Sequence, residues 1–232
     1  MQTFLSDRSA DWLWSGILLG DEAMEREHTE FLRLLAGDVQ HALDRTALSA
    51  SPTDRRNLLR TIISAAEGIS WIYRVHVLSV AKEFDATTPL MEMALAEASF
   101  SVSEQGVIVE QARHISLTAI IRLTTRIAQS ICPNLDVDFS VIGWKHLKDA
   151  IKMRNRITHP KNICDLAVSE KEIESAKLGF FWLLNTTLHV MEETVKEFSV
   201  LVADLKKLGE ELRQGDPDAL DLYQRAHRDS DD

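Results

Sequence analysis

The sequence predicts an all-α fold, a helical bundle, and three observations carry that expectation. Apolar residues recur at three- and four-residue spacing along nearly all of the 232 residues. Strict two-residue alternation of the kind a half-buried strand requires is nearly absent. Prolines and capping residues then punctuate the helical runs at plausible lengths. Taken in order, Asp11 to Leu19 reads as a short Trp- and Leu-rich helix, and Asp21 to about Thr46 as an amphipathic one with Phe31, Leu34, Leu35 and Val39 on its apolar side. Ser49 to Asp54, with Pro52, forms a linker. A long helix from Asp54 to Glu83 follows, offering Leu59, Ile62, Ile63, Ala66, Ile69, Ile72 and Tyr73 for packing. Thr88-Pro89 is an N-cap followed by proline at the first helical position and opens a helix to about Phe100. The next is expected from Ser103 to Cys132, with a bend near His114, and stops at Pro133. After a polar loop at residues 134–139, a helix runs from Ser140 to Thr158. Ser169-Glu170-Lys171-Glu172 is a capping box for a final long helix to about Gln214, with a break expected near Thr194. These boundaries divide the chain into an N-terminal helical extension (1–50), a helical bundle (51–215) and an acidic C-terminal tail (216–232).

The helix from Ser140 to Thr158 carries the chemistry. At about 100° per residue, Lys145, Lys148, Lys152 and Arg156 fall on one stripe, with Ile142, Leu147, Ala150, Ile151, Met153 and Ile157 opposite. Arg154 lands in the apolar sector. A guanidinium keeps its proton and is costly to bury alone, so Arg154 must meet an anion, a carboxylate or a subunit boundary. His159 precedes Pro160, which pushes it out of the helical region, so the helix ends at Thr158 or His159. The dipole at that end favours a protonated imidazole, and the neighbouring arginines oppose it. Glu67, among Ile63, Ala66 and Ile69, is expected as a partly buried carboxylate that pairs with Arg74 or another base, or that orients Arg154 or His159.

Arg154-Asn155, three further positions, then His159-Pro160 at the end of a helix resembles the signature of the HEPN superfamily. Trp144-Lys145 and Leu147 leading into the motif, and Ile63-Ser64-Ala65-Ala66-Glu67 in an upstream helix, extend the likeness over residues 54–200. The resemblance implies a helical bundle of HEPN type and a metal-independent endoribonuclease, a toxin or defence effector working on RNA as a homodimer. Arg154, His159 and Asn155 are then the catalytic residues, Glu67 a supporting carboxylate, and Lys145, Lys148, Lys152, Arg156 and Lys161 the RNA-binding track. An antitoxin or other regulatory protein is a possible partner. Some family toxins are modified at a tyrosine two positions after the histidine. Here that position is Lys161, so the same control is not implied.

Composition bounds these expectations. The net charge of −10 argues against a general nucleic-acid coat, yet residues 145–161 carry +5 while the remainder carries −15. No apolar run approaches the ~18 residues of a membrane span, and Met1 to Ala10 lacks the pattern of a signal peptide. A cytoplasmic location without membrane contact is therefore expected. Cys132 and Cys164 lack metal-ligand spacing and suit a reducing compartment. His41 and His76 have no partner a turn away, and Glu25 with His28 is a single pair, so neither a metal nor a cofactor is expected. His114, His146 and His189 read as surface or satisfied histidines. The alternative function is a non-catalytic, HEPN-like helical module that binds RNA or a protein partner, with Arg154 meeting an acidic surface.

Overall fold

A computed structural model describes residues 22–49 and 51–229. The helix expected over residues 11–19 and the last residues of the tail lie outside them. The described chain is mostly helical. Helix α1 spans Glu22–Ser49, α2 Pro52–Glu83, α3 Pro89–Leu95, α4 Leu117–Ile131, α5 Ile142–Thr158, α6 Glu170–Gln214 and α7 Pro217–Asp229. A 3₁₀ turn, Ile163–Leu166, interrupts the loop between α5 and α6.

Helix α2 is the hub. Ser51 caps it by accepting from the Asp54 amide at 3.1 Å, and Pro52 sits in its first turn. Its apolar residues occur on nearly every side, so Leu58, Leu59, Ile62, Ile63, Ala66, Ile69, Ile72 and Tyr73 are all essentially inaccessible to solvent. Helices α1, α4, α5 and α6 pack around it. Burying each of those large side chains contributes roughly 1.5–3 kcal/mol, which is why this helix organises the others. One core cluster joins Val39 of α1 with Ile63 and Ile69 of α2, Trp144 and Leu147 of α5, and Phe180 and Leu183 of α6. A second joins Tyr73 and Val77 with Ile127, Ile131 and Val190.

Two glycines allow α5 and α6 to meet closely. A Cβ on Gly179 would lie 2.4 Å from the backbone nitrogen of Leu147, and one on Gly143 would lie 2.4 Å from Cγ of Trp182. Trp144 is thereby sealed against Phe139 and Trp182, with ring centroids 4.9 and 5.4 Å away. This contact fixes the motif helix.

The structure departs from the expected elements in four places. The helix after Pro89 stops at Leu95, because Glu97 adopts φ 54° and turns the chain into strand β1, Ala98–Val102. The helix expected from Ser103 is instead a turn and strand β2, Ile108–Ala112, paired antiparallel with β1, with α4 beginning only after the cap Ser116. Gly106, at φ 76°, and the Gly106 N–H bond to the Ser103 carbonyl close that turn. The β-branched pair Ile108-Val109 suits a strand better than a helix. No break occurs near Thr194; α6 is continuous over 45 residues. The Thr194 hydroxyl is absorbed by the Val190 carbonyl and the imidazole of His76. Within the expected acidic tail, Pro217–Asp229 forms a helix whose first amides are capped by the Asp216 carboxylate. Among the described residues, no helix is long and apolar enough to cross a membrane, and Cys132 and Cys164 are both free thiols.

Candidate functional site

Helix α5 ends where Pro160 requires. The Thr158 hydroxyl donates to the Arg154 carbonyl at 2.8 Å, and the amide of the cap residue His159 donates to the Asn155 carbonyl at 3.0 Å. The last turn is held by its own side chains, and His159 is exposed beyond it.

Arg154, out of place among apolar neighbours, finds a carboxylate on α2. Its guanidinium is ion-paired to Glu67 and also donates to Asn155 Oδ1 at 3.2 Å. The arginine side chain is 27 % exposed and the glutamate 48 %, so the pair is open to solvent at the mouth of a cleft rather than sealed in the core. That cleft, about 380 Å³, is bounded by Glu67, Arg74 and Trp71 of α2, Ile120 of α4, and Arg154 and Asn155 of α5. Arg74 pairs not with Glu67 but with Glu97, at 3.2 Å. Glu97 also accepts the Ile115 amide at 3.0 Å, and His114 stands 3.6 Å from it. Burial pushes the Glu97 carboxyl up, but the Ile115 amide and Arg74 outweigh it, so its pKa lies below the ordinary value. The hairpin base is therefore pinned to the cleft by a carboxylate that stays ionised.

The expected basic residues separate into two groups. Lys145, Lys148, Lys152 and Lys161 are exposed. Lys148 lies 5.9 Å above the Trp144 ring, and Lys152 is 3.4 Å from Asp149. Arg156 is committed elsewhere, donating to the Ala167 carbonyl at 2.7 Å and pairing with Glu172 at 3.0 Å. Burial raises Glu172, but the Ser169 cap and Arg156 outweigh it, holding its pKa below the usual value. Arg156 thus ties the motif helix to the start of α6.

Within one chain, Arg154, Asn155 and Glu67 line a common cleft, and His159 is not among its lining residues. Trp144 and Ile157, which lie beside the motif in sequence, are buried inside the chain, while Ile151 is half-buried at the cleft wall. The Arg74–Glu97 pair and the His114 rim have no sequence signal, since both depend on the hairpin. Arg60, whose Nη2 reaches the Ile157 carbonyl at 3.4 Å, also escapes notice because only its position in the Arg55-Arg56…Arg60 run marks it. His146 is satisfied by Ser175 Oγ at 2.7 Å. No protein-family model, curated protein or solved structure matches this chain.

Proposed function

We propose that this protein is a metal-independent endoribonuclease of HEPN type, a toxin or defence effector, that cuts RNA through the substrate's own 2′-hydroxyl. The observation that carries the reading is the presentation of Arg154 and Asn155 at the mouth of an open cleft, with Arg154 aimed by Glu67, while His159 stands exposed at the cap of the same helix. In the reaction the 2′-oxygen gives its proton to an imidazole and forms a bond to the adjacent phosphorus. The bond from phosphorus to the 5′-oxygen then breaks, and that oxygen takes a proton, leaving a 2′,3′-cyclic phosphate and a free 5′-hydroxyl. His159 serves in proton transfer. Arg154, exchanging Glu67 for the non-bridging oxygens, meets the charge that builds on the phosphoryl group. The lysines at 145, 148, 152 and 161 follow the backbone.

Because His159 does not line the cleft of its own chain, we place the working site between two copies related by a two-fold axis. Each copy would bring its His159 to the other's Arg154. The test is cleavage of a single-stranded RNA by wild type and by His159→Ala, with excess chelator and with a substrate lacking the 2′-hydroxyl at the scissile nucleotide. Cleavage that survives the chelator and disappears with the deoxy substrate or the variant is expected. Cutting of the deoxy substrate, or full activity in the variant, refutes the mechanism.

One observation favours the second reading, a non-catalytic interaction module: Arg154 is already neutralised by Glu67 within its own chain. Under that reading the pair is a structural clasp. Arg154→Ala would then cost stability and leave RNA untouched.

A further inference from the structure

The arginines near the end of the motif helix are nearly all spoken for. Arg154 is paired with Glu67, Arg156 with Glu172, Arg55 with Glu170 and Arg45 with Asp54. Arg60 is different. It is exposed, and no carboxylate lies within ion-pair distance of it among the described residues. Its guanidinium reaches only the Asn57 side-chain oxygen at 3.3 Å and the Ile157 carbonyl at 3.4 Å, both near the outer limit of a hydrogen bond. The second contact puts an unneutralised cation on the last turn of α5, two residues before His159. Arg60 also forms one wall of a cavity of about 410 Å³ between α1 and α2, whose other polar groups include His41, Asn57, Thr61 and Ser64. Of the two carboxylates there, Asp54 is held by Arg45, Ser49 and Ser51. Asp38 is the other carboxylate of the lining. The volume falls in the range of clefts that hold a small ligand, and this one is half open to solvent.

We infer that Arg60 is an RNA-binding residue. It holds the phosphodiester next to the one that His159 and Arg154 act on, and the α1–α2 cavity receives the attached nucleoside. The inference rests on the ribonuclease reading for the identity of its ligand, single-stranded RNA. Two weak neutral contacts are readily exchanged for one charge-assisted, bidentate contact to phosphate oxygens. The hydroxyl, amide and imidazole groups of the cavity suit a sugar and a base edge. Arg60 would therefore act in binding, and the scissile phosphate would remain with Arg154.

The test is fluorescence anisotropy of a labelled single-stranded RNA against the full chain across a salt series. It compares His159→Ala, which keeps the RNA intact, with the double variant carrying Arg60→Ala or Arg60→Lys. Arg60→Ala is expected to weaken binding roughly five- to ten-fold at low salt and to reduce the slope of log K against log salt by about 0.7, the single-strand value for one phosphate contact. Arg60→Lys is expected to restore the slope, and the melting temperature should barely move. If Arg60 only caps α5, alanine lowers the melting temperature and leaves the slope unchanged, which overturns the inference. RNA that is bound with this slope change but never cut by wild type sinks the ribonuclease reading and spares Arg60. Cleavage by wild type with no slope change does the reverse.

Discussion

Glu67 both aims Arg154 and competes with the phosphate that Arg154 is proposed to hold, so replacing it should move binding and turnover in opposite directions. In the free protein the guanidinium is neutralised by that carboxylate and steadied by Asn155. With the glutamate side chain 48 % exposed and the arginine 27 % exposed, water screens the pair, and its contribution falls to that of an exposed ion pair, about 0.2–1 kcal/mol. Glu67→Gln keeps the shape and removes the charge. The substitution should lower stability by no more than about 1 kcal/mol. It should also free a cation at the cleft mouth, tightening RNA binding by about two- to five-fold at low salt.

Turnover should fall, because an arginine no longer held by a carboxylate samples rotamers that miss the developing charge. Single-turnover cleavage, measured beside equilibrium binding to a deoxy-blocked RNA, separates the two effects. The expected signature is a lower Kd together with a slower cleavage step. Unchanged affinity would show that Glu67 does not compete for Arg154. A faster step would show that the carboxylate is an inhibitor and that the aiming role is mistaken.

Other perturbations reach different levels of the molecule. Arg154→Ala and His159→Ala chains should each be inactive alone. Mixed, they should regain part of the wild-type rate if a two-fold pair lets one intact arginine meet one intact histidine; light scattering that shows monomers, with no recovery, would exclude the composite site. Gly179→Ala forces a Cβ against the backbone of α5, 2.4 Å from Leu147 N. A backbone atom cannot swing aside, so a loss of about 1–3 kcal/mol or more is expected by urea unfolding, and near-wild-type stability would mean that the helices separate freely. His76 is buried, bonded to Thr194 and near the charge of His28, with its pKa depressed from 6.5 to about 4. The unfolded chain therefore binds the extra proton between those values. This stabilisation is complete above about pH 6.5 and is lost as pH falls toward 4, up to about 3 kcal/mol for that shift. The comparison is with His76→Gln, in which the loss between pH 7 and 4.5 should shrink; an equal loss in both proteins would refute the assignment.

The sequence was most informative where local chemistry and packing agree. Pro89, Pro160 and the Ser169 capping box set helix ends that the structure keeps, because a missing amide or a satisfied N-terminus acts within one turn. Arg154 was legible as an anomaly, since its angular position put a charge among core residues. Its partner was only half legible: Glu67 was marked by apolar neighbours, but its choice of Arg154 over Arg74 depends on Glu97 taking Arg74. Glu97 sits there because the chain reverses at β1. The hairpin itself was hidden in alternation too short to outweigh the helical periodicity around it. Ala98, Phe100 and Val102 share one face with Ile108, Glu110 and Ala112, while Ser99, Ser101 and Gln111 bond across the other, beside Val109, so the second strand does not alternate.

The hairpin matters for the site more than for the fold. A helix through residues 103–116 would have left Arg74 free to compete for Glu67, and the cleft would have lost the Glu97 and His114 wall. With the hairpin in place, each arginine at the cleft has its own carboxylate, and Arg154 is the one whose partner is nearly half exposed. Under the proposed function, a phosphate arriving from solvent would meet Glu67 as its competitor at the cleft mouth. The more buried Arg74–Glu97 pair holds the wall beside it. The division of labour follows from exposure: one ion pair can open to a substrate while the other keeps the cleft in shape, and only the first should respond strongly to added salt.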